Sequence, residues 1–184
     1  MIQLAHAQTI AQDLINILNP FCDRIEVAGS VRRKKNIVKD IELVIIPKKE
    51  ITKEGLFGDE ERTIYPIDKF LWEDSRFDFR LNKDNKRMYG DKNKLLMYDH
   101  QEYGWIALDI FTADESNFTM IKFIRTGGAE NNKRIALTAN QLGMNLKIYE
   151  SCFVDKRGFK YQMNSEEQIY KFLGLPYLKP EERN

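Results

Sequence analysis

Residues 40–46 read DIELVII and are followed by Pro47. An apolar run this rich in branched side chains reads as a buried strand, and the proline, which cannot donate to a ladder, closes it. Yet Asp40 and Glu42 stand inside it, two positions apart. On a strand, residues i and i+2 share a face and lie about 6.6–6.8 Å apart. Ile41 and Leu43 therefore point into a core while both acids point the other way. Carboxylates are rarely buried without a partner, because taking a charge out of water is costly. The acidic face must then be either the solvent side of an edge strand or a charged site.

A second stretch weighs against the plain solvent face. WIALDIFTA, residues 105–113, places Asp109 between Leu108 and Ile110 in another strand-like run. If the two strands are neighbours, three carboxylates converge. Three uncompensated anions repel one another and are driven toward protonation. Divalent cations relieve this, and magnesium in particular takes carboxylate oxygens, keeps waters and completes its shell with substrate phosphates. Two such ions about 3.5–4 Å apart can activate an attacking hydroxyl and neutralise a leaving oxygen.

The matching phosphate end lies upstream. RIEVAG, residues 24–29, reads as a short strand ending at Gly29, and Ser30 as the cap of a brief helix that carries Arg32 and Arg33. A glycine lets a phosphate approach the backbone, and N–H groups at a helix start attract anions. Arginines can fork onto phosphate oxygens.

The remaining pattern places these motifs. Leu4, Ala7, Ala11, Leu14 and Leu18 share one helical face, and Asn19-Pro20 stops that helix. Between residues 48 and 92, Gly55, Gly58 and Pro66 act as breaks, PIDKFLWED reads as a helix, and RFDFRL alternates like a half-buried strand. KLLMY and WIALDIFTA form a hairpin across DHQEYG. After Ala113 the period changes from two to 3.6: ESNFTMIKFIRTGG and the segment holding Ile135, Ala139 and Leu142 read as helices. MNLKIYES and FKYQM then make a small hairpin around VDKRG. SEEQIYKFLG has Ser165 and Gln168 in capping-box positions and Gly174 as its stop. The fold class is α+β: a sheet unit over residues 1–113, then a small, mainly helical unit over residues 114–184.

Bulk properties exclude more than they identify. Lysine and arginine number 29 against 28 acids, so any electrostatic footprint must be local. Cys22 and Cys152 form neither a disulfide framework nor a zinc spacing and read as free thiols. No apolar run nears the ~20 residues of a membrane span, and no signal-peptide pattern opens the chain. A soluble, cytoplasmic monomer is expected. His6 and His100 lack paired nucleophiles or ligand spacing, and Trp72, Phe77 and Phe79 read as core.

The constellation resembles the polymerase beta superfamily of nucleotidyltransferases and, more narrowly, the family X DNA polymerases. GSVRRKKNIVKDIEL is similar to their Gly-Ser-x-Arg-Arg segment and first acidic strand, and LDIFTA to their third-acid strand. RTGGAENNKRIALTANQLGMNL is similar to the start of their thumb, and LGLPYLKPEERN to their C-terminal signature. The resemblance runs from about residue 4 to the end and is weakest over residues 48–90.

It implies a palm over residues 1–113, a mixed and mostly antiparallel sheet with helices on one side, and a small α/β thumb over residues 114–184. It implies that Asp40 and Glu42 bind both of two Mg²⁺ ions, for which Mn²⁺ can substitute. Asp109 would bind the catalytic ion and help deprotonate a primer 3′-hydroxyl. Gly29, Ser30 and Arg33 would hold the triphosphate of a nucleoside triphosphate. Gly127 and the thumb helix would lie along its sugar and base, with Asn132 at the base edge and Lys133 near the template. The implied partner is gapped or primed duplex DNA, and the implied role short-gap repair. Glu42 stands where the family usually has aspartate, Ile124-Arg125 where it has an aromatic pair, and Ala107 and Ala136 where it often has arginines. The chain starts at the palm, so no deoxyribose-phosphate lyase activity is expected.

Two other readings share the same residues. One is a template-independent nucleotidyltransferase acting on an RNA end, a protein or a small molecule. The other is a DNA-end-binding module without catalysis, using Lys34, Lys35, Lys39, Lys133 and Arg134.

Overall fold

A computed structural model describes residues 1–54, 60–82 and 84–184. The short strand β1 (Ile2–Gln3) leads into α1 (Leu4–Leu18), whose apolar stripe Ala7, Ile10, Ala11, Leu14 and Leu18 is buried. A 3₁₀ turn at Asn19–Phe21, with proline in its first turn, ends α1 where expected. The chain continues through β2 (Cys22–Val27), α2 (Gly29–Arg32), β3 (Ile37–Val38) and β4 (Asp40–Pro47). Next come β5 (Glu50–Glu54), β6 (Glu60–Ile64), α3 (Pro66–Glu73), β7 (Phe77–Phe79), β8 (Asn93–His100) and β9 (Gly104–Thr112).

Five of these strands form one sheet in the order β2-β4-β9-β8-β7. Only β4 and β9 run parallel; the other three pairings are antiparallel. A parallel pair cannot be joined by a tight turn, so the long connection through α3, β7 and β8 is a topological requirement. On one face, Ile41, Leu43, Ile45, Leu96, Leu108 and Ile110 pack against α1 and against Ile67 and Leu71 of α3. Each such aliphatic side chain contributes roughly 1.5–3 kcal/mol on full burial. β5 and β6 form a separate antiparallel hairpin that the sequence pattern did not disclose; Gly55 and Gly58, read as breaks, lie outside the described residues.

On the other face of the sheet, α4 (Phe118–Thr126) covers one end. There Val44, Ile46, Phe111 and Ala113 pack against Phe118 and Ile121 of α4. The end bearing Asp40, Glu42 and Asp109 is left uncovered by α4.

After α4 come α5 (Ala129–Gln141), β10 (Asn145–Lys147), β11 (Cys152–Val154), β12 (Lys160–Gln162) and α6 (Glu166–Phe172). A second core joins them, with Met120, Phe123, Ile135, Phe153, Ile169 and Tyr170 inside. The hairpin around VDKRG is present as β11 and β12, but a third strand precedes it. MNLKIYES breaks after Lys147 into a 3₁₀ turn, and left-handed Ser151 (φ 51°) reverses the chain into β11. The Ser151 hydroxyl stabilises that turn by donating to the Met163 carbonyl at 2.9 Å. α6 starts as its sequence predicts, with Ser165 Oγ accepting from the Gln168 N–H at 3.1 Å. Both cysteines are buried free thiols. Among the described residues no helix is long and apolar enough to cross a membrane.

Candidate functional site

The parallel pairing of β4 with β9 sets Glu42 beside Asp109 and Asp40 beside Ala107. Register partners on adjacent strands face the same side, and the strands lie about 4.8 Å apart. All three acids therefore share one face, as the sequence predicts. β8 adds Leu95 beside Asp109 and Met97 beside Ala107 on that face. The three acids are half-buried.

Their acidities record this crowding. Burial first, then the Asp40 and Asp109 charges, push the Glu42 carboxyl up to about 7, against the opposing pull of Arg33 and Arg125. Burial raises Asp109 to about 6 despite the Arg80 guanidinium beside it; Asp40 adds to the rise and Arg125 opposes it. As they stand, the carboxylates are not gathered into a ligand cluster: among the described residues no three Asp, Glu, His or Cys side chains are placed to hold a metal. Asp109 leans to Arg80, which donates to its Oδ1 from Nη2. Glu42 leans the other way, onto Gly29.

That contact gives Gly29 a purpose the sequence did not show. Its φ is +60°, and a Cβ built there would lie 1.7 Å from Glu42 Oε2. The glycine makes room for the longer acid arm. Ser30 is not the helix cap expected of it. Gly29 already starts α2, the residue in the cap position is Ala28, and no side chain caps the helix. Ser30 Oγ is instead buried with no hydrogen-bond partner, and so is Nε of Arg33. Buried polar atoms are normally satisfied, so groups left open beside an acidic site fit a ligand that completes them. The terminal nitrogen Nη1 of Arg33 donates to the Thr126 carbonyl at 2.5 Å, tying α2 to the end of α4. The donor set thus suits divalent cations and a phosphate chain: Glu42, raised by burial and two neighbouring acids, stands beside the unsatisfied donors of Ser30 and Arg33.

The residues expected along the nucleotide sit at the α4–α5 junction. Gly127 ends α4 and α5 follows. Asn132 folds back on that turn, its amide donating to the carbonyls of Ile124 at 2.8 Å and Gly127 at 3.2 Å. A Cβ on Gly127 would meet Asn132 Oδ1 at 2.1 Å, so the glycine is needed for this fold-back. Lys133 is exposed and paired with Glu130.

Sequence reasoning missed three participants. Arg80 was read only as part of an alternating strand, although that alternation already put it opposite Phe77 and Phe79. Arg125 was noted as a departure from an aromatic pair; it stacks over Phe111 at 3.8 Å and faces the acids. Glu166 was read only as helix N-terminal. It accepts from Arg32 Nη1 at 2.6 Å and from Arg183 Nη2 at 2.7 Å, and Arg32 Nη1 also donates to Thr126 Oγ1 at 2.7 Å. No local signal announces a bridge spanning that much of the chain.

Compared with known families, residues 123–184, about the last third of the chain, match the DNA polymerase beta thumb. No curated protein matches the sequence significantly. The match relates this segment, and not the strands that carry the acids, to the thumb of DNA polymerase beta.

Proposed function

We propose that the chain is a family X type DNA polymerase, a Mg²⁺-dependent nucleotidyltransferase that adds a nucleotide to a DNA 3′-hydroxyl and releases pyrophosphate, acting in short-gap repair. One observation carries the reading: Glu42 and Asp109 stand in register on parallel neighbours, with Asp40 on the same face, beside the unsatisfied Ser30 and Arg33 donors. The thumb match supports it.

Asp40, Glu42 and Asp109 would hold the cations. When bound, the divalent ions supply the positive charge that makes the hydroxyl acidic and neutralises the leaving oxygen. The Ser30 hydroxyl, the Arg33 guanidinium and the backbone at Gly29 hold the triphosphate and fix its α-phosphorus in line with the hydroxyl. Asp109, made more basic by burial, takes the hydroxyl proton on a carboxylate oxygen. The bond from the 3′-oxygen to the α-phosphorus forms as the bond to the bridging oxygen breaks, and pyrophosphate leaves. Positioning and charge neutralisation supply most of the acceleration.

Extension of a one-nucleotide gap in Mg²⁺ tests this. Asp40→Ala should lose at least about 10²–10³-fold in rate, the usual cost of removing a charge-stabilising group. Equal rates would overturn the assignment. One feature favours a second reading, template-independent transfer: the Asn132 amide is turned into the α4–α5 junction. Incorporation indifferent to the templating base would favour that reading.

A further inference from the structure

The cation that holds Asp109 in this structure is a side chain. Arg80 follows β7, at the far edge of the sheet from β2. Its backbone N–H donates to the Leu95 carbonyl at 3.1 Å. By the alternation of β7 it rises on the face that carries Leu95 and Asp109. The guanidinium then crosses β8 to donate to Asp109 Oδ1. Both side chains are largely covered, at 27% and 15% exposure. Arg125, stacked over Phe111, also faces Asp109, but the hydrogen bond to the carboxylate comes from Arg80. Ala107, next to Asp109 on this face, is too small to block the approach, and Leu95 and Met97 on β8 are apolar. Among the described residues of β7, β8 and β9, no cationic side chain shares this face. Asp109 therefore gives Arg80 one of the two oxygens that a divalent ion could take.

We propose that Arg80 is the resident counter-ion of the acidic site: it occupies Asp109 in the metal-free protein and must leave before Asp109 can ligate a divalent cation. The inference rests on the reading of Asp109 as a metal ligand. Arg80 is a positioning residue, acting through Asp109. It keeps the third acid paired while the site is empty, and it lowers the affinity for cations arriving without substrate. A +2 ion and a guanidinium within a few ångströms repel, so the two occupants exclude each other. Removing the arginine should tighten cation binding by about tenfold, within the usual range of coupling between two ligands.

The test uses the full chain, stripped of metal, with neither nucleotide nor DNA present. Mn²⁺ is titrated in and free Mn²⁺ followed by electron paramagnetic resonance. Arg80→Gln should bind Mn²⁺ about tenfold more tightly than wild type. Arg80→Lys, which keeps the charge but loses the planar fork, should fall between them and guards against a glutamine variant that fails to fold. In an Asp109→Asn background the Arg80→Gln change should have no effect. A merely structural arginine would leave affinity unchanged or lower it, and either result overturns the inference while sparing the metal assignment. Absence of Mn²⁺ binding in every variant overturns both.

Discussion

Glu42 and Glu166 are both glutamates withdrawn from water, and the chain treats them in opposite ways. Glu166, at the start of α6, is clasped by Arg32 and Arg183. Burial pushes its carboxyl up, but the hydrogen bonds from Arg32 and Arg183 outweigh burial and hold it below the ordinary range. Glu42 has burial and two neighbouring acids driving it up to about 7, opposed by the charges of Arg33 and Arg125 without a hydrogen bond from either. The fold completes the first acid and leaves the second for something else to complete. A paired buried acid marks how the molecule is held together; an underpaired one marks where it expects a ligand.

The strongest way to break the contrast is Glu166→Ala. It would strand Arg183, which is 0% exposed, and release Arg32 from the start of α6. Breaking a buried pair from one side costs about 3–5 kcal/mol, readable by urea unfolding at pH 7. The pH dependence follows from the depressed acidity. The bridge contributes fully above the ordinary glutamate value of 4.5 and is lost as pH falls through the lower folded value. Wild type should therefore lose stability below that pH more steeply than the variant; parallel curves would remove Glu166 from the account.

Gly29→Ala comes next and strikes the underpaired site. It forces an alanine to φ +60° with its Cβ 1.7 Å from Glu42 Oε2. Backbone strain alone costs on the order of 1–3 kcal/mol, and Glu42 must swing away. Gap extension should fall much further than this loss of stability explains, while Mn²⁺ affinity changes with the displaced acid. A variant with normal extension would show that the Gly29–Glu42 contact is incidental.

The two sites differed in how far the sequence disclosed them. The acids on β4 and β9 were legible because strand periodicity fixes their face, and a carboxylate in a branched apolar run is anomalous without any partner in view. The Gly29-Ser30 segment was legible as a turn from strand into helix, but its contact with Glu42 depends on a side-chain length meeting a backbone from another element. The Glu166 bridge was not legible: Arg32 lies far up the chain and reads from its motif as a phosphate contact, while Glu166 and Arg183 look locally like surface residues. Arg80 lay in the stretch of least recognisable pattern, where short elements and charged turns blur periodicity. β5 and β6 were hidden for the same reason, their alternation being diluted by charge on both faces.

Glu42→Gln sharpens the contrast at smaller magnitude and opposite sign. Below pH 4.5 the carboxyl is protonated in both folded and unfolded chains and contributes no difference. As pH rises toward 7 the folded protein keeps a proton that the unfolded chain releases, so the metal-free fold loses stability, fully so above about 7. The glutamine variant avoids that penalty and should be up to about 3 kcal/mol more stable than wild type at pH 8 without divalent ions, and no different at pH 4. Added Mg²⁺ should narrow the gap by stabilising wild type alone. A charge removed from Glu166 destabilises and one removed from Glu42 stabilises; two shifts of the same sign would undo the comparison.

Lys133 supplies the smallest effect and the control for both. It pairs with Glu130 at 2.9 Å, with side-chain exposures of 67% and 77%. Neither charge has left water, so neither pays a desolvation cost nor gains much from the pair. Lys133→Ala should change stability by no more than about 0.5 kcal/mol. Its position early on α5, in the segment that matches the polymerase beta thumb, makes a different readout decisive. A lysine that neutralises one phosphate adds about one to the slope of log affinity against log salt. The variant should bind gapped DNA more weakly at low salt, converge with wild type as salt rises, and lose about one from that slope. An unchanged slope would place Lys133 away from the duplex and leave the basic residues beside Gly29 as the better candidates for holding it.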